Sequence, residues 1–135
     1  MNKPVLGGLG GMGGLASAEF VRTVYQISGE VCSREQDAPV VVMYSDPTFP
    51  DRTEAFLRGE TQPLLNKLIE ALELLNSMGA TQTVIACMTI HYLLPQVPVE
   101  LITRCFFFKD SIAAKMVSVS EMIRSRNAPG SCGRR

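Results

Sequence analysis

A single histidine among 135 residues leaves little material for a metal centre built on imidazole. The four cysteines, Cys32, Cys87, Cys105 and Cys132, do not make up the shortfall, because they are widely separated and show none of the paired spacing of structural zinc sites. No metal is expected. In a reducing compartment the thiols are expected to be free, three of them inert packing or tail residues. Long apolar runs are missing as well: Gly, Pro or a charged residue interrupts the hydrophobic content every few positions, so no stretch reaches the roughly 18 continuous apolar residues of a membrane span. The opening Met1-Asn2-Lys3-Pro4 lacks a secretory apolar region. A cytoplasmic protein that does not engage the membrane is therefore expected. Net charge is also absent, since 13 Lys/Arg balance 13 Asp/Glu, and overall basicity offers no argument for a nucleic-acid partner.

What the sequence does hold is apolar side chain enough for one globular core, 46% hydrophobic against 19% charged residues. The charge is unevenly placed. Residues 1–103 carry 6 Lys/Arg and 11 Asp/Glu, whereas residues 104–135 carry 7 and 2, so a net −5 is followed by +5. Composition thus divides the chain into an ordered domain at 1–103, a divergent segment at 104–124 and a basic, Gly-containing tail at 125–135. In the second, Ile112, Met116, Val119 and Ile123 would share one helical face. The third is expected to be disordered.

Within the first segment, Lys3 to Leu9 reads as a short buried strand entering a loop in which six of the eight residues Gly7–Gly14 are glycine. Leu15 to Ser28 follows with Leu15, Ala18, Val21, Val24 and Tyr25 at helical spacing. Pro39 to Tyr44 is a β-branched apolar run of the kind covered on both faces by helices, and Ser45 to Arg52 is a Pro-containing loop at its carboxyl end. Thr61 to Met78 places Leu64, Leu65, Leu68, Leu72 and Leu75 on one face, with Gly79 as C-cap. Thr83 to Cys87 is another buried strand, a short helix begins near Ile90, and Val97 to Ile102 reads as a further strand. Alternating strands and helices predict an α/β fold with a parallel sheet, flanked by helices, whose functional loops gather at the carboxyl ends of the strands. The three loops meeting there are the glycine loop, Ser45–Arg52 and Cys87–His91.

Each loop offers candidate chemistry. Gly8-x-Gly10-x-x-Gly13 literally matches a dinucleotide fingerprint, but the nearest acid after the second strand, Asp46, sits in a proline loop, so anion approach or close helix packing are the competing readings. Cys87 ends an apolar strand just before amides that begin a helix, where partial positive charge favours a thiolate and a bound carboxylate. A buried packing cysteine is the alternative. His91 lies one helical turn from Cys87, yet no acidic or amide group is in evidence to orient it, and a structural histidine is the favoured reading. Arg52 is a natural bidentate partner for a carboxylate, with Asp51 able to orient it, against the alternative of a surface ion pair.

Taken together and in order, Gly7-Gly-Leu-Gly-Gly-Met-Gly13, Ser45-Asp-Pro-Thr-Phe-Pro-Asp-Arg-Thr53 and Ala86-Cys-Met-Thr-Ile-His-Tyr92 resemble the motifs of the aspartate/glutamate racemase family. The resemblance implies one of two similar α/β domains, cofactor-independent chemistry, and an acidic amino acid as substrate. It assigns Cys87 as the acid/base thiol of the first half, Thr89 and Arg52 as carboxylate-binding groups, and Met12 with its neighbouring glycines as pocket lining. Two departures accompany it. Met88 stands where the family usually has Asn, and neither Cys105 nor Cys132 lies in a motif like that of the family's second cysteine. The likeness fades near Thr103, as it would if the coding sequence were truncated or shifted in frame. Three functions stay open at this level: a racemase homologue, a non-catalytic carboxylate-binding remnant, and a single-cysteine decarboxylase-like relative. A homodimer is expected if an apolar domain face is left uncovered.

Overall fold

A computed structural model describes residues 4–103 and Cys105. Three strands, β1 (Val5–Gly10), β2 (Val40–Ser45) and β3 (Gln82–Ile85), form a wholly parallel sheet in the order β2-β1-β3. Val5 pairs with Val40 and Leu6 with Gln82, so β1 occupies the centre. Helices α1 (Gly14–Val31), α2 (Arg52–Arg58), α3 (Gln62–Ser77) and α4 (Val99–Ile102) complete the layout, with 3₁₀ turns at Glu35–Asp37 and Thr89–Gln96.

The period of two along β1 divides the interior between the faces of the sheet. Leu6 joins Phe20 and Val24 of α1 and Val84 of β3 on one face. Leu9 and Ile85 join the α3 side chains on the other. The apolar face expected of α3 is there: Leu64, Leu65, Leu68, Leu72 and Leu75 are all buried, each contributing roughly 1.5–3 kcal/mol by leaving water, and Met78 rather than Gly79 is the C-cap. Helix α1 turns differently from the expected spacing. Its buried stripe is Ser17, Phe20, Val24 and Ser28, while Leu15 and Tyr25 face outward.

Two elements correct the sequence reading. Val97–Ile102 is no strand: Pro98 precedes a single helical turn, α4, and a short apolar run with β-branched residues does not discriminate the two states by itself. The helix expected near Ile90 is a 3₁₀ run from Thr89 to Gln96 with Pro95 inside it. Proline has no N–H to give to the carbonyl four residues back, so the α-helical pattern is interrupted there, while Ile90, Leu93 and Leu94 bury into the α3 core. The free edge of β3 carries one parallel bridge, Thr83 to Cys105. The remainder of the segments 104–124 and 125–135, including the proposed last helix, lies outside the described residues.

Candidate functional site

The site is assembled at the carboxyl end of β1, where chain direction diverges toward α1 on one side and past β3 on the other. Open parallel sheets bind ligands outside the carboxyl ends of their strands. Backbone hydrogen bonds join all three loops to that point: the Ala86 N–H donates to the Leu9 carbonyl (2.8 Å) and the Asp46 N–H to the Gly10 carbonyl (3.1 Å). The glycine loop then turns at Gly11, whose φ is +90°, and its N–H donates to the Ser17 hydroxyl oxygen of α1 at 2.7 Å. Ser17 is itself buried. It was not singled out from the sequence, because a serine on an apolar helix carries no signal until its partner is known.

Cys87 stands two residues beyond β3, a half-buried free thiol. Thr89, also half-buried, opens the 3₁₀ run, and the first N–H groups of such a run have no partner within it. Met88 between them is exposed. The His91 Nδ1–H donates to the Cys87 backbone carbonyl at 2.5 Å, which fixes the proton on Nδ1 and steadies the turn carrying the sulfur. Met12 is 5% exposed and packs with Leu9 and Phe49 in the α3 core, so its side chain supports the loop from beneath.

Arg52 is the first residue of α2 and is half-buried, its guanidinium reaching the Pro50 carbonyl at 3.4 Å. Asp51 does not pair with it. Its carboxylate accepts from the Glu54 N–H at 2.8 Å and caps α2, an arrangement foreshadowed by the Asp51-x-x-Glu54 spacing of a capping box. No carboxylate pairs with Arg52 among the described residues. Phe56 of α2 meets Tyr92 edge-on, ring centroids 6.1 Å apart, and so ties the helix bearing Arg52 to the segment bearing Thr89.

Asp46 is the most heavily bonded side chain at this edge. Its carboxylate accepts from the Thr48 hydroxyl (2.6 Å), the Thr48 N–H (2.8 Å) and the Tyr44 hydroxyl (3.1 Å), and lies 3.3 Å from Lys67 of α3. The Thr48 hydroxyl and then its amide, assisted by Tyr44 and Lys67, hold the carboxyl at about 2 against an ordinary 3.8. The same hydrogen bond, with burial and the nearby carboxylate charge, raises the Tyr44 phenol. A depressed carboxyl stabilises the fold fully above its unfolded value and loses that contribution as pH falls toward the folded one. The loop should therefore hold at pH 4 and loosen only as pH approaches 2. An NMR titration of the Asp46 carboxyl checks this, with Asp46→Asn expected to abolish the transition.

Among the described residues no cluster of three or more His, Cys, Asp or Glu could hold a metal ion, and no helix is long and apolar enough to cross a membrane. No family model matches the sequence. Comparison with solved structures is more informative. The aspartate racemase of Picrophilus torridus aligns over 70% of this chain at 28% identity with a TM-score of 0.57. A candidate Asp/Glu racemase from Yersinia pestis aligns over 85% at 19% identity, TM-score 0.68. The fold is that of the aspartate/glutamate racemases. An aspartate racemase homologue from Pyrococcus horikoshii OT3 shares the racemase fold over 87% of the chain at 18% identity, TM-score 0.60. The chain spans 40%, 49% and 50% of the lengths of these three racemase-fold proteins.

Proposed function

We propose that this chain provides a carboxylate-binding, single-thiol proton-transfer site of the aspartate/glutamate racemase type, acting on an acidic amino acid without a cofactor. What supports this reading is that Cys87 and Thr89 follow the carboxyl end of β3 and Arg52 follows that of β2 in a racemase fold, with Phe56 and Tyr92 joining the two segments. An amino-acid α-proton is very weakly acidic, so its removal needs a base held against it and fixed positive partial charge for the carbanion. Cys87 as thiolate takes the proton: the α-C–H bond breaks, the S–H bond forms, and the electron pair moves toward the substrate carboxylate. The Thr89 amide and Arg52 guanidinium stabilise that charge. Return of a proton from Cys87 restores the original configuration, and inversion requires a second acid on the opposite face.

Exchange of the α-proton of L- and D-aspartate and L- and D-glutamate in deuterated water, compared between wild type and Cys87→Ser, tests the reading. Exchange that depends on Cys87 supports it, and no such exchange with any of the four sinks it. Loss of carbon dioxide with a stereospecific product would transfer the assignment to a decarboxylase.

We further propose self-association through the apolar residues this edge leaves in water. Leu15, Met88 and Tyr92, on the segments that follow β1 and β3, are 89%, 58% and 78% exposed. Sedimentation velocity should show a concentration-dependent dimer that Tyr92→Ser weakens, and a monomer at every concentration would count against it.

A further inference from the structure

We infer that Lys67 is a positioning residue for Arg52, holding the β2–α2 loop in the shape that presents the guanidinium to a ligand carboxylate. The inference rests on the reading of Arg52 as a carboxylate clamp and adds to it a residue 15 positions away on another element. On an amphipathic helix a lysine beside Leu64 and Leu68 would ordinarily extend into solvent. Lys67 instead crosses to the loop: its ammonium donates to the Thr48 hydroxyl oxygen, lies 3.3 Å from the Asp46 carboxylate and sits 5.1 Å from the centroid of the Phe49 ring. The side chain is only 27% exposed.

The partners are consecutive parts of one turn. Asp46 is fastened to β1 through Gly10 and to β2 through the Tyr44 hydroxyl, and it gathers the Thr48 amide and hydroxyl above it. Phe49 is buried in the α3 core. Pro50 receives the Arg52 guanidinium and Asp51 caps the helix that Arg52 begins. Among the described residues, the Lys67 contacts are the polar side-chain bonds joining this turn to α3, the helix with six buried positions. Lys67 also supplies the cation that balances Asp46, which would otherwise set an unneutralised carboxylate beside an anionic ligand. A supporting group of this type acts through geometry, and small displacements of a binding group are costly.

The experiment compares wild type, Lys67→Met and Lys67→Arg by ¹H–¹⁵N NMR, first without ligand and then in a titration with L-aspartate. Lys67→Met should leave the amides of β1, α1 and β3 in place, displace those from Thr48 to Thr53 together with the Arg52 side-chain signal, and weaken L-aspartate about tenfold. Lys67→Arg should restore both. Unmoved Arg52 signals in Lys67→Met overturn the proposal whether or not aspartate binds. Should Lys67→Met fail to fold, Thr48→Val removes the hydroxyl between Lys67 and Asp46 without altering α3, and the same two readouts decide. If wild type binds no L-aspartate while Arg52 still shifts in Lys67→Met, the substrate reading fails and the positioning role is supported.

Discussion

Cys87→Ser is expected to lower α-proton exchange by about 10²–10⁴-fold while leaving the fold intact, the range for loss of a positioned acid/base. The substitution exchanges sulfur for oxygen at a half-buried position outside every strand and helix, so little packing is disturbed. An alcohol ionises far less readily than a thiol and cannot serve as the base at neutral pH. Residual exchange should retain configuration in both proteins if one thiol serves one face. NMR loss of the α-proton signal measures the rate, and chiral chromatography of the same samples measures inversion. Equal exchange in wild type and Cys87→Ser would place the chemistry elsewhere.

Gly11→Ala should be the most damaging small substitution in the chain, at about 3 kcal/mol or more, a large part of the roughly 5–15 kcal/mol by which domains are stable. Two effects add. At φ +90° a side chain is strained by roughly 1–3 kcal/mol. A Cβ there would also overlap the backbone N, C and O of Asp46, which cannot rotate aside and whose N–H is held by Gly10. Gly13 provides the control. It has nearly the same φ, +94°, but open space around the added atom, so Gly13→Ala should cost only the conformational part. Urea denaturation of the two variants separates the effects, and equal losses would show that contact with Asp46 is unimportant.

The legible parts of this chain were those written as local pattern. Five leucines on one face of α3 stated both the helix and its burial, and the β-branched run around Val41 stated a strand. Alternating strands and helices placed the loops that carry Cys87, Thr89 and Arg52 on one edge, since parallel topology brings loops together however far apart they lie in sequence. What escaped depended on contacts between distant residues or on choices the local pattern leaves degenerate. Helix α2 went unremarked although Asp51 and Glu54 carried its start signal. Val97–Ile102 has strand-like composition and helical geometry. Asp46 looked like a misplaced ribose acid, and its actual partner, Lys67, is 21 residues on and reads as an ordinary solvated lysine. Met12 resembles pocket lining by motif, and its burial in the α3 core is a tertiary fact that the motif does not state.

The central place of β1 also has a consequence for how the chain comes to be folded. Strand β1 hydrogen-bonds along one side to residues 40–45 and along the other to residues 82–85, with Val5 reaching Thr81 across 76 positions. Contacts of such long sequence separation slow folding, and a parallel sheet cannot close them by hairpins. During synthesis, β1 and its glycine loop must therefore wait, apolar and unpaired on one edge, until β3 has emerged. That interval is when a holding chaperone would find this chain.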